Sequence, residues 1–228
     1  QTLQTVNLPA YAFGGSNPSP STTEESVKYV RTFWYHGAMP SLSLFDRTRE
    51  FVKTSFNDKP HMLHFDRTVY WLKQLRPDAD EALLIASISH DIERASRLGD
   101  AGLGRTDKGF LNIDDNTYHQ EKGAEIIGNF LKEQGADDKL IKRVKHLVSA
   151  HEYGGDDDQN LLKDADSLSF VENNASIFIA RLDKLGYDNV KEKFDWMYGR
   201  ISEPKAKQLA KPFYEKMIKK LHERGAAS

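Results

Sequence analysis

Eight histidines and no cysteine occur in this 228-residue sequence. Any metal must therefore be held by nitrogen and oxygen, and disulfides, thiolate zinc sites and cysteine nucleophiles are excluded by composition. His64, His90, His119 and His151 fall at the ends or faces of segments with helical spacing. With Asp91 and Asp166 they make a set of six side chains of the types that bind a metal in a cysteine-free protein. His90 and Asp91 are adjacent, in SISHDIERASR, within a run that reads as a buried helix. A carboxylate buried beside an imidazole costs several kcal/mol unless a partner or a metal compensates the pair. Neighbours on a helix diverge by about 100°, so they do not normally converge on one ion. A carboxylate with two oxygens can instead bridge two ions while the histidine beside it binds one. Ions bridged at roughly 3.5 to 4 Å can share an activated water.

Each residue has a plainer alternative. A core hydrogen bond would account for His64, His90 and Asp91. His119 could cap the start of YHQEKG, and His151 could sit solvated near a helix C-terminus, where imidazolium is favoured. Asp164 and Asp166 lie on nearly opposite faces of one helix, so only one is expected to look inward. His61 could line a pocket beside His64 or cap the turn after Pro60, and the cap is preferred. His146 is expected to be structural, His36 and His222 to lie on the surface, and NIDDN and GGDDDQN to be solvated loop charge. Arg67, Arg94, Arg97, Lys122 and Lys163 fall within a turn or so of the set, although most such cations are surface groups or ion-pair partners.

The elements that must position these residues read as helices throughout. Residues 1–22 are rich in Pro, Gly, Ser and Thr and read as an extended arm; a single domain is expected over 23–228. TTEESVKYVRTFWYH opens on a threonine cap, and SLSLFDRTREFVKTSF continues in the same style. HMLHFDRTVYWLKQLRP and the almost continuously apolar DADEALLIASISHDIERASRLG come next. Residues 98–117, with four glycines and a cluster of aspartates, read as a long loop that could close over the site. Beyond it lie YHQEKGAEIIGNFLKEQG, DDKLIKRVKHLVSAHEYGG, LLKDADSLSFVENNASIFIARLDKLG and DNVKEKFDWMYGRI. The last helix has Ser202 as cap and Pro204 in its first turn. Phe194, Trp196 and Tyr198 are expected in the core. No segment alternates with period two, so the fold class is all-α, with eight to ten helices.

HFDRTV (His64, Arg67, Val69), then HD at 90 and 91, then DAD ending at Asp166, resembles the H, HD, D signature of the HD superfamily. YHQEKGAEII (His119, Gly123) and VSAHEYGG (His151) resemble the extended H, HD, H, H, D version of its dinuclear members. The resemblance covers about residues 60–170 and implies an HD-domain helical bundle. It implies His64, His90, Asp91 and Asp166 as ligands of one metal, Asp91 as the bridge, and His119 and His151 as ligands of a second. Many family hydrolases read HDIGK where this chain reads HDIER; Arg94 thus stands at a lysine that touches substrate phosphate, and Glu93 replaces a small glycine. Arg94 is the expected phosphate contact, with Arg67, Lys122, Lys163 and His61 as possible pocket residues.

The implied activity is metal-dependent phosphohydrolysis, with metal-activated water attacking the phosphate ester of a nucleotide or other small phosphorylated metabolite. Two divalent transition-metal ions are expected, with iron, manganese, cobalt and nickel all compatible with the donors. The same set also resembles the mixed-valent di-iron oxygenases of the superfamily, which would act on a small polar substrate. A catalytically silent binding domain is a third reading, disfavoured because such a module has no need of six metal-type residues. A net charge of −2 and a pI near 6.5 supply no basic field for nucleic acid. No apolar run long enough for a membrane span and no signal-peptide pattern are visible, so a cytoplasmic location is expected.

Overall fold

Asp80, Asn112, Asp137 and Asp156 each start a helix by accepting a backbone N–H three residues on, at 3.0, 3.0, 2.9 and 2.9 Å. In the computed structural model, residues 42–57, 59–96 and 110–226 are described, and all belong to one unit, Leu42–Ser228. The expected N-terminal arm (1–22), the expected helix over 23–36 and Arg97 lie outside the described residues.

The helices run in the order α1 (Leu44–Phe56), α2 (Lys59–Leu75), α3 (Glu81–Ser89), α4 (Ile113–Glu133), α5 (Asp138–Val148), α6 (Asp157–Ser169), α7 (Ala175–Ala180), α8 (Leu182–Leu185), α9 (Tyr187–Gly199) and α10 (Pro204–Ala226). A 3-10 turn, Ile92–Ser96, comes after α3, and a π-helical turn, Phe170–Asn174, comes after α6. No strand occurs among the described residues, as the absence of period-two alternation requires.

Helix α3 buries Ala82, Leu83, Ile85, Ala86 and Ile88, which leaves almost no solvent face. It packs against α1, α2, α5 and α6. An apolar helix of this kind is stable only when surrounded. Around it, α2 packs on α6 and α4 on α5, with Phe65, Leu72, Ile127, Leu131, Leu147 and Leu162 fully buried between them. Helix α5 is strongly amphipathic and turns Val144, Leu147 and Val148 inward.

Three expectations are corrected. Residues 113–117 are not loop but the first turns of α4, because the Asn112 side chain caps them and Asp114 and Asp115 sit at the positive end of the helix dipole; residues 98–109 of that segment lie outside the described residues. The aspartates of GGDDDQN are likewise helix-forming: Asp156 makes a capping box with Gln159, and Asp158 pairs with Arg76 and Arg143. Ser202 does not cap the last helix; the Glu203 carboxylate accepts the Ala206 N–H at 2.6 Å, while Ser202 turns to Asp164.

Candidate metal centre

The Ser-Ile-Ser-His-Asp stretch ends a helix instead of occupying its middle. Ser87 and Ser89 hydroxyls donate back to the carbonyls of Leu83 and Ile85 at 2.8 and 2.7 Å, and α3 stops at Ser89. His90 is its C-cap, Asp91 lies in the turn, and Arg94 N–H donates to the Asp91 carbonyl at 2.9 Å. This departs from the mid-helix placement expected. Because the backbone leaves the α-helix here, both side chains face one space, with His90 Nε2 3.9 Å from Asp91 Oδ2. His151 also lies beyond its helix, which ends at Val148.

The four histidines share one arrangement: Nδ1 is tied outward and Nε2 turns inward. His90 Nδ1 donates to the Ser87 carbonyl at 3.0 Å, and His151 Nδ1 to the Val148 carbonyl at 2.8 Å. His119 Nδ1 donates to Glu93 Oε2 at 2.7 Å. His64 Nδ1 meets Ser169 Oγ at 2.8 Å, and that hydroxyl donates to the carbonyl of His64 at 2.7 Å. A carbonyl or carboxylate at Nδ1 fixes a proton there and leaves Nε2 to face an inward partner. His64 and His90 place Nε2 at 3.1 and 3.4 Å from Asp166 Oδ1. His119 and His151 place theirs at 2.7 and 3.6 Å from Asp91 Oδ1. The Nε2 atoms of His90 and His151 are buried without a hydrogen-bond partner. Orphaned ring nitrogens beside carboxylates are what a cation would satisfy.

Donor atoms able to hold a metal fall into two groups, His64 with His90 and Asp91, and Asp91 with His119, His151 and Glu152. All six expected residues are thus brought together, with Asp91 common to both groups and Asp166 against His64 and His90. Glu152 was missed by sequence reasoning; its only signal is its position beside His151. Gly123 lets α4 approach the turn, since a Cβ there would lie 3.3 Å from the His90 carbonyl oxygen.

Arg200 was also missed. Its guanidinium donates to Glu152 Oε2 at 2.7 Å, to the Glu152 carbonyl at 3.0 Å and to Ser167 Oγ at 2.8 Å, and it pairs with Asp166. Arg94 donates to Asp91 Oδ1 at 2.9 Å and to Glu152 Oε1 at 3.1 Å. Burial works to raise the Asp91 and Asp166 carboxyls, but Arg94 and His90 for the first, and Arg200 and His90 for the second, hold them well below the ordinary range. Burial is likewise outweighed at Glu152, held at about 2 chiefly by Arg200. His90 is pushed down by burial yet held at about 9 by Asp166 and Asp91. Burial lowers the Lys193 ammonium to about 8.

The cluster opens on a cavity of about 80 Å³. Its polar lining is His64, Asp91, Asp166, Arg94, Glu152 and Arg200 with Asn174 and Lys193, and its apolar lining is Phe170, Ile177, Phe178 and Met197. Phe170 and Asn174 come from the π-helical turn, a feature that recurs at functional sites because it re-aims side chains. His61 lines the cavity and its ring packs 4.8 Å from that of Phe56.

Other expected residues lie elsewhere. Arg67 pairs with Glu172 at 2.7 Å and stacks on Tyr70. Lys122 is at the surface, paired with Glu125 at 2.7 Å. Lys163 donates to Asn160 Oδ1 at 3.0 Å and Ser202 Oγ at 3.2 Å. Asp164 and Asp166 are both buried, contrary to the expectation that one would face outward. The reason is that Asp164 is enclosed by α10: it accepts the Ser202 and Glu203 N–H groups at 3.0 and 2.7 Å. His146 is exposed and pairs with Asp156 at 2.7 Å. Phe194 is core as expected, whereas Trp196 lies under Lys193 and Arg200, each 4.5 Å from its ring.

No helix among the described residues is long and apolar enough to cross a membrane. Residues 46–221 match the family described as a domain of unknown function, DUF4202, and the chain belongs to that family. No curated protein matches it. Among solved structures it is similar to a crystal structure of a predicted HD superfamily hydrolase from an uncultured Thermotogales bacterium, at 20% identity and a TM-score of 0.49, over 79% of this chain and 91% of that one. Two groups of its histidine and carboxylate side chains are placed so that they could hold a metal ion.

Proposed function

We propose that this protein is a metal-dependent phosphohydrolase acting on a small phosphorylated metabolite. In this reading His64, His90, Asp91, His119, His151 and Asp166 would hold two divalent transition-metal ions, Asp91 being common to both donor groups. The observation that supports it most directly is Asp91 itself, which stands in both donor groups, with His64 and His90 and with His119, His151 and Glu152. The two orphaned Nε2 atoms, and the outward tie on every Nδ1, are what such ligation requires.

Ions bound there would lower the pKa of water to near neutrality and neutralise charge on a phosphoryl group. The chain's own residues orient and balance the site. Ser87, Val148, Glu93 and Ser169 fix the four rings. Arg200 spans Glu152 and Asp166, so those carboxylates stay ionised and in place. Arg94 uses Nε and Nη2 on Asp91 and Glu152, which leaves Nη1 for a phosphate oxygen. The apolar lining residues would exclude water from the organic part of the ester.

Metal content per chain, measured by elemental analysis of protein purified without chelator and compared with Asp91→Ala, tests the reading. About two divalent ions in the wild type, lost in the variant, together with release of phosphate from phosphomonoesters, is the expected result. Iron with substrate-dependent oxygen consumption would replace the hydrolase with the oxygenase reading, and absence of metal after reconstitution would remove both.

A further inference from the structure

Lys193 lines the cavity without an ion-pair partner among the described residues. It lies on α9 and is 8% exposed, and its Nζ makes no hydrogen bond among those residues either. Its contacts are with ring faces, 4.5 Å to Trp196 and 5.7 Å to Phe170. By contrast Arg94 and Arg200 are committed to Asp91, Glu152 and Asp166. Asn174 also lines the cavity, and its amide caps no helix and bonds nothing among the described residues. Glu152 and Asp166 act on the Lys193 ammonium through space and ring faces pack on it, but no oxygen bonds it among the described residues, so its N–H donors are available to an anion in the cavity.

We infer that Lys193, with the Asn174 amide, is an anion-binding part of the cavity wall and takes oxygens of a phosphate group held there. This rests on the phosphohydrolase reading for the identity of the anion. The size agrees: about 80 Å³ is well below the roughly 300 Å³ at which pockets for whole drug-sized ligands begin. It suits a phosphoryl group with a short organic remainder. Lys193 is cationic at neutral pH, its lowered value notwithstanding, and so carries the charge that binding needs. Two lone donors of different geometry, ammonium and amide, can serve two oxygens of one tetrahedral anion.

The test uses the full chain as purified, with inorganic phosphate as the probe. The protein is acetylated with and without phosphate at matched ionic strength, and the rate at each lysine is read by mass spectrometry. Phosphate is expected to slow modification of Lys193 several-fold and to leave the surface residue Lys122 unaffected. Phosphate titration of Lys193→Met should show affinity weakened about tenfold, as for loss of a charge-assisted hydrogen bond, with most of it recovered in Lys193→Arg. An unchanged acetylation rate at Lys193, or a Lys193→Met protein that binds phosphate as tightly as wild type, overturns the inference. Should that variant fail to fold, acetylation of the wild type decides alone. Metal content is not read in this experiment, so a metal-free chain would sink the hydrolase while the Lys193 result remained decisive for phosphate.

Discussion

Glu93 Oε2 lies 2.7 Å from Nδ1 of His119, with both residues buried. The same His119 presents Nε2 to Asp91 Oδ1, also at 2.7 Å. Glu93 therefore has a positional role: it holds the only ring of the four that is tied outward by a carboxylate and not by a carbonyl or hydroxyl.

Removing that carboxylate frees His119 to rotate. Glu93→Ala should weaken metal binding about 10- to 100-fold, read by competition with a chelator of known affinity, while Glu93→Gln keeps part of it by accepting the same Nδ1 proton. Equal affinities in wild type and Glu93→Ala would show that His119 needs no such support.

Arg200 neutralises Glu152 and Asp166, and all three side chains are almost fully buried. Arg200→Met should lose about 3 to 5 kcal/mol in urea unfolding, because two carboxylates are left without their partner. Added divalent metal should restore part of this loss, since a cation supplies the missing charge. A loss under about 1 kcal/mol without metal would mean that solvent already reaches these carboxylates.

Asp164 and Asp166 sit two residues apart with separate tasks. Asp164→Ala should cost about 2 to 4 kcal/mol by orphaning the Ser202 and Glu203 N–H groups, yet leave metal content as in the wild type. Asp166→Ala should lower metal content. The reverse pattern in elemental analysis would exchange the two roles.

Tyr214 donates its hydroxyl to Asp195 Oδ1 at 2.7 Å. Burial and this bond push the phenol up to about 12, against about 10 in an unfolded chain. The folded state therefore keeps the proton longer: the stabilisation is complete below about pH 10 and is lost as pH rises from there towards about 12. Solvent screens the pair, so its worth is about 0.5 to 1 kcal/mol. Tyr214→Phe should be less stable by that amount at about pH 8, and the gap should shrink above about pH 10 and close above about pH 12. A gap constant across this range would show that the hydroxyl bond is not its source.

Much of this protein was settled within single turns of chain. Helical period, aspartate and asparagine caps and the apolar run 82–88 are local patterns, and they are enough to require an all-α fold. The six metal-type residues were picked out of many possible donors by an order that resembles a family signature, and the fold brings them together. Local reading went astray where it judged aspartates by composition: in NIDDN and GGDDDQN the side chains stand at helix starts, a role set by the helical segment that begins beside them.

The rest required distant segments to meet. Arg200 reaches Asp166 across 34 positions and Glu152 across 48, and Arg94 reaches Glu152 across 58. No short-range pattern encodes those pairings. The exit of the backbone from α3 at Ser89, which lets His90 and Asp91 face one space, has the same character. Sequence determined which donors this chain possesses and that helices carry them. Tertiary packing decided which nitrogen each histidine presents, which arginines are already engaged and which lysine faces the cavity, because each depends on neighbours that only the folded chain supplies.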